Sequence, residues 1–194
     1  SPAAADLFAG EKERKTMDAL LMTPVNRSTL LSAKFFTIVS IATIIGLVTL
    51  AVLAVEIYFF TDNLKSGLAF GDDFWLIMVL ALIINLVYAM FCASILMMTS
   101  IVAKTVKEAN SYASPIMMLT MFPAFFTTSV GVNELGLYHF VIPILNIFSS
   151  YKELLYGVVN FEHILITVLS NLAVVFVLFM ISRVMFLKEK WVMN

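Results

Sequence analysis

Long uncharged apolar runs alternate with short charged stretches along the chain. Residues 35–55 give 21 uncharged positions in succession, 74–103 give 30, 109–133 give 25 and 164–182 give 19. A bilayer crossing needs about 20 mostly apolar residues in a helix. Lipid offers no hydrogen-bond partner, so each run must satisfy its backbone internally, as a helix does. The pattern predicts an all-α membrane protein crossing at about 35–60, 74–102, 110–132 and 163–187. Arg183 lies just beyond the last run and can snorkel to the interface. A fifth run, 135–151, differs: it has 17 residues and includes Gly136, His139, Pro143 and Asn146. Pro143 removes a backbone donor and breaks a helix. The region 135–160 therefore reads as a re-entrant outer segment, with a short amphipathic helix at 151–156.

The basic residues support four crossings. Lys12, Arg14, Lys15, Arg27 and Lys34 precede the first run, Lys104 and Lys107 lie between the second and third, and Arg183, Lys188 and Lys190 close the chain. Four crossings place these ten of the twelve Lys/Arg residues on one side, with only Lys65 and Lys152 opposite. The positive-inside rule makes that side cytoplasmic. Both ends then face the cytoplasm of a multi-pass cell-membrane protein. A fifth crossing would send the basic tail outside.

Composition removes other classes. Apolar residues make up 61% and charged residues 13%, with a mean hydropathy of +0.99. A soluble domain has about 45–50% and about 25%. A net charge of −1 gives no footprint for nucleic acid. The single cysteine, Cys92, excludes a disulfide framework and a thiolate zinc site. Met97, Met98, Met117, Met118 and Met121 have no His or Cys beside them and read as packing, so no metal is expected. The chain opens Ser1-Pro2-Ala3 and reads as a fragment.

Residues 1–34 are the most informative. Glu11, Arg14, Lys15 and Asp18 fall at i, i+3, i+4 and i+7, on one helical face. Glu11 with Lys15 and Arg14 with Asp18 are opposite charges at i, i+4, each pair worth about 0.2–0.5 kcal/mol. Met17, Leu20, Leu21, Pro24 and Val25 follow the same spacing on another face. This predicts an amphipathic helix over about 6–22, a break near Thr23 and Pro24, and a new helix entering the first crossing. Such a helix either anchors the first crossing at the membrane surface or offers its charged face to a protein partner.

The run Gly10-Glu11-Lys12-Glu13-Arg14-Lys15-Thr16-Met17-Asp18-Ala19-Leu20-Leu21-Met22-Thr23-Pro24-Val25-Asn26-Arg27, followed by Ala33-Lys34, resembles the cytoplasmic signature of the ABC type-2 exporter permeases. Ile142-Pro143-Ile144-Leu145-Asn146 resembles the Pro-x-x-Asn segment of that family, and Phe186-Leu187-Lys188-Glu189-Lys190 its usual ending. The nearest branch is the NatB-like, sodium-extruding permeases. Lys15 and Ala33 stand where the family usually has glycine, and Asp18 where it has glutamate. The resemblance implies a coupling helix seated on a separate ATP-binding subunit. Its contact residues would be Glu11, Lys12, Glu13, Arg14, Lys15, Thr16, Asp18, Leu20, Leu21, Thr23, Pro24 and Arg27. It also implies a homodimer or a second permease half, and an outer cap formed by 135–160. This chain would represent the coupling helix and the last four crossings of a six-crossing core.

Polar residues inside the runs are pathway candidates or helix–helix glue. Asn85, Tyr88 and Cys92 form one stripe, at i, i+3 and i+7. Ser111 and Ser114 lie in the third run, where Pro115 reads as a helix start, and Asn146 lies in the outer segment. Glu56 reads as an interfacial carboxylate and Asn171 as glue. The chain has no G-x-x-x-x-G-K-[ST] phosphate loop, so it binds no cofactor itself, and ATP and magnesium belong to the partner. No Ser/His/Asp set shares a run, which makes an intramembrane enzyme the weakest reading. The expectation is a non-enzymatic exporter permease subunit. The alternative is an assembly module or non-transporting fragment of one.

Overall fold

The computed structural model describes residues 5–17, 22, 24–60 and 74–188. Among these the secondary structure is helical, with no strand. A short helical segment covers Asp6–Gly10 as a π-turn and Glu11–Glu13 as an α-turn. Seven α-helices follow among the described residues, with a 3-10 turn at Val132–Glu134: α1 Arg27–Phe60, α2 Phe74–Val102, α3 Val106–Leu119, α4 Phe122–Ser129, α5 Tyr138–Val141, α6 Leu145–Leu155 and α7 Phe161–Leu187.

Three of the described helices are long and apolar enough to cross a bilayer: Arg27–Val52, Trp75–Val102 and Phe161–Leu187. The expected crossing at 110–132 falls on two shorter helices, α3 and α4. Pro123, in the first turn of α4, has no N–H to bond the carbonyl of Leu119, and the ladder stops there. Pro115 does not start α3. It lies inside that helix, which begins nine residues earlier at Val106, after Thr105 accepts the Glu108 N–H at 3.2 Å.

The chain divides into two compact units. The first holds Ser1–Ala42, Met90–Leu119 and Val174–Asn194; the second holds Thr43–Ala89 and Thr120–Ala173. In the first unit, α1 buries Leu31, Lys34, Phe35, Ile38 and Val39, one stripe at helical spacing. Phe35 meets Phe179 edge-on at 5.2 Å. In the second unit, Ile77, Leu80, Ala81 and Ile84 of α2 pack with Ile147 and Leu154 of α6 and Ile164 of α7. Gly46 permits a close approach between helices: a β-carbon there would lie 2.0 Å from Asn85 Oδ1.

The polarity of α7 is inverted relative to a soluble helix. Leu165, Leu169, Phe176 and Val177 are exposed, whereas Thr167, Asn171 and Ser182 are fully buried. A helix in lipid turns its apolar side chains outward and hides its polar ones, as α7 does. With the three long apolar helices, this makes the chain an all-α, multi-pass membrane protein.

Residues 135–160, expected to form a re-entrant outer segment, contain two helices around a turn. Pro143 and Ile144 separate α5 from α6, and Ile144 has φ 74°, a conformation rare for a β-branched residue. The helix expected at 151–156 begins earlier, at Leu145, because the break at Pro143 frees the chain to start again. At its end, Val158 N–H donates to Glu153 O at 2.9 Å and Gly157 N–H to Leu154 O at 3.1 Å. These are the two bonds of a Schellman cap, and Gly157 supplies the required positive φ of 72°. Three residues later Asn160 Oδ1 accepts the Glu162 N–H at 3.0 Å and starts α7.

Candidate functional site

The amino-terminal segment does not continue as one helix over 6–22. It turns at Arg14 and Lys15, and Lys15 takes φ 57°, in the left-handed region. Lys15 therefore occupies a backbone position that favours glycine. Glycine is the residue that the family signature usually has here. Met17 is helical again, while Asp18, Leu20, Leu21 and Thr23 lie outside the described residues.

The turn changes the pairing. Glu11 does not pair with Lys15; it accepts a hydrogen bond from Lys34, on α1. Lys34 is almost fully buried, donates also to Leu7 O, and lies 4.5 Å above the Phe8 ring. A buried ammonium requires a counter-charge and acceptors, and Glu11 and Leu7 provide them. Arg14 pairs with Asp6 at 2.8 Å, on the exposed side. Of the apolar face expected on this segment, Met17 is buried, but Pro24 and Val25 are exposed.

Further bonds fasten the segment to the rest of its unit. Ser100 Oγ accepts the Ala9 N–H at 3.1 Å and donates to Ala5 O at 2.9 Å. Lys12 Nζ donates to the carbonyls of Ile101 and Ala103, where the last turn of α2 leaves acceptors unpaired. Burial lowers the Lys12 pKa to about 8, against the opposing attraction of Glu108. Glu13 accepts the Val106 N–H, the first of α3, at 3.0 Å. Phe8 is completely buried against Phe186, edge-on at 5.5 Å. The result is a latch. Glu11, Lys12 and Glu13, expected to face a partner, are engaged within the chain. Arg14, Lys15, Thr16, Pro24, Val25 and Asn26 remain exposed, with Met22 at 88% and Arg27 half-buried.

The pathway candidates fall in both units. Asn85, Tyr88 and Asn146 belong to the second unit, and Cys92, Ser111 and Ser114 to the first. Ser111 and Ser114 are exposed, and each hydroxyl bonds back to the carbonyl four residues earlier. Asn85 is buried with its Nδ2 unpartnered. The side chain of Glu56 lies outside the described residues.

Asn146 belongs to a polar ladder between α6 and α7. Asn171 Nδ2 donates to Asn146 Oδ1 at 2.8 Å, and Asn146 Nδ2 donates to Ser170 Oγ at 2.6 Å and Phe140 O at 3.1 Å. The next rung is Ser150 with Thr167 at 2.9 Å, and the last is Glu153 Oε1 with His163 Nδ1 at 2.8 Å. The rungs descend one helix as they climb the other, so α6 and α7 form an antiparallel hairpin. The spacing 146, 150, 153 against 163, 167, 171 was present in the sequence, but its two halves lie in separate apolar runs. Lys152 points elsewhere and caps the end of α4 by donating to Thr127 O and Val130 O.

The family model described as ABC-2 family transporter protein matches residues 1–191. The chain belongs to the ABC-2 transporter family. It is 36% identical over 192 residues to the ABC transporter permease protein NatB of Bacillus subtilis (strain 168). That alignment covers 99% of this chain and 50% of the relative, so the chain spans about half the length of the curated protein that it matches. No solved structure matches. For an ABC-2 member, the latch places the family's signature segment on a defined support: the ends of α2 and α7, the start of α3 and the buried Lys34.

Proposed function

We propose that this chain is part of a plasma-membrane permease that exports its cargo on ATP hydrolysis by a separate ATP-binding subunit. The ATP-binding subunit carries ATP and magnesium; the permease dimerises or pairs with a second half, and the described latch faces the cytoplasm. The observation that carries the reading is the division of the signature segment into a locked side and an exposed side. Lys34 and Ser100 hold the locked side, and the exposed side runs from Arg14 to Thr16 and includes Met22, Pro24 and Val25. A partner that grips the exposed side pulls on all the elements to which the latch is bonded. The force is delivered to α2, α3 and α7 as well as to α1, so the first unit moves as a body rather than the first crossing alone.

Sodium is the proposed cargo, from the resemblance to the NatB-like branch and from the printed name of the relative. The outer segment caps the route, and Asn85, buried with its Nδ2 unpartnered, is a candidate to line it. The test is transport by the full-length permease with its ATP-binding subunit in sealed vesicles, comparing sodium, drug and lipid cargoes. ATP-driven movement of sodium is expected. ATP-driven movement of a drug or lipid with no sodium flux would replace the cargo assignment. Flux that persists without the ATP-binding subunit would overturn the exporter reading.

A further inference from the structure

The last rung of the ladder differs from the others because both partners titrate. Glu153 is 5% exposed. Its Oε1 meets His163 Nδ1 at 2.8 Å, and its Oε2 is buried with no hydrogen-bond partner. An ionised carboxylate would bury a charge-bearing oxygen without a donor, which costs far more than leaving a neutral carbonyl oxygen unbonded. The ring of His163 is held flat against Phe140, centroids 3.9 Å apart and 15° from parallel, so the imidazole cannot swing to offer Oε2 a second contact. Its backbone is fixed one turn into α7 by the Asn160 cap.

Among the described residues, no other cation is bonded to the pair. Lys152, on the same helix, is committed to Thr127 O and Val130 O. Tyr151 donates to Ala81 O, His139 Nδ1 is engaged by Gly136, and Glu162 is exposed beside the start of α7. Tyr88 of α2 and Tyr138 of α5 are the remaining ionisable groups among the described residues on the elements packed around the pair. A net charge on the rung therefore has only its own partner to neutralise it.

We propose that Glu153 and His163 form a proton-binding site, in which a neutral carboxyl donates Oε1–H to Nδ1 of a neutral imidazole, and that loss of this proton loosens the α6–α7 hairpin. The proton leaves to water as hydronium or to hydroxide, and the carboxylate remains. The imidazole can bring its own ring proton to Nδ1 and rebond Oε1, but Oε2 is then a buried charge-bearing oxygen with no donor. Burial raises the Glu153 pKa above the ordinary carboxylate value, against the opposing pull of His163. The folded state thus binds a proton that the unfolded chain gives up near the ordinary carboxylate pKa. Its stabilisation is full below that value and is lost as pH rises through the raised one. The site places a proton switch at the base of the outer hairpin and is independent of the cargo and of the ATP-binding partner.

The test is hydrogen–deuterium exchange on the full-length permease in lipid nanodiscs, read as protection factors for 145–155 from the ordinary carboxylate pKa of about 4.3 up to about pH 9. Wild-type protection is expected to fall by about 10-fold for each pK unit by which the folded and unfolded states differ. Glu153→Gln, whose amide N–H donates to Nδ1 without titrating, is expected to keep high protection across the range. Infrared difference spectra give a second readout in the wild type: a protonated buried carboxyl band that disappears over the same range and is missing in Glu153→Gln. Wild-type protection that does not change with pH would overturn the proposal. So would a Glu153→Gln profile that falls as the wild type does, or a band unaffected by the substitution.

Discussion

In the first unit the latch is held by the buried Lys34 and Ser100 and the half-buried Glu11 and Lys12, and most of their partners are backbone atoms: Leu7 O, Ile101 O, Ala103 O, Ala5 O and Ala9 N–H. In the second unit Asn146, Ser150, Thr167 and Asn171 are answered chiefly by one another. The difference is one of purpose. Side chains that bond to backbone tie a non-membrane segment to helix ends, where carbonyls and N–H groups are unpaired anyway. Side chains that bond to side chains fix the register of α6 against the long apolar α7, where apolar contact alone gives little preference between helix and lipid. The latch uses full charges and the ladder uses neutral amides and hydroxyls, so their failures should differ in size.

The largest effect is expected from breaking the latch. Glu11→Lys leaves the buried Lys34 ammonium facing a second cation, and loss of one partner of a buried pair costs about 3–5 kcal/mol. Thermal unfolding of the full-length permease in detergent should show a large drop, with part of it recovered in the double variant Glu11→Lys with Lys34→Glu. No drop in the single variant would mean that the latch is dispensable for the fold.

A rung of the ladder is expected to cost less. Asn146→Ala removes bonds to Asn171, Ser170 and Phe140 O, yet interhelical polar contacts in membranes average about 0.6 kcal/mol, with about 1.7 at most. A loss of about 1–2 kcal/mol is predicted by the same assay. A cost equal to that of the Glu11 variant would erase the distinction between the two regions.

The smallest effect has the opposite sign. Lys15 holds φ 57° at a left-handed position, and glycine there relieves about 1 kcal/mol of backbone strain. Lys15→Gly should raise the unfolding temperature slightly and leave the Arg14–Asp6 pair intact. A decrease would show that the Lys15 side chain contributes contacts worth more than the strain.

The three long helices were legible because apolar length in lipid leaves the backbone few alternatives. The turn at Lys15 was not: its i, i+4 charges fit a continuous helix, and only the long-range pairing of Glu11 with Lys34 separates the two outcomes. Likewise the break at Thr120–Met121 lies in an uncharged run, where hydropathy gives no warning, and Pro123, which explains it, was not read as a break. Pro143 announced the outer break for the same reason that Pro123 explains the other one. The ladder needed knowledge of which helices pair. His163 and Thr167 meet Glu153 and Ser150 only because α6 lies against α7.

The central claim is that the exposed side of the latched segment is gripped by an ATP-binding subunit. Photo-crosslinking residues placed at Lys15 and Val25 of the full-length permease, assembled with its ATP-binding subunit, test this most directly. The account predicts adducts with that subunit from both positions, altered in yield by ATP, and none from the lipid-facing Phe176. Adducts absent at both positions in an assembled, ATP-hydrolysing complex would contradict it.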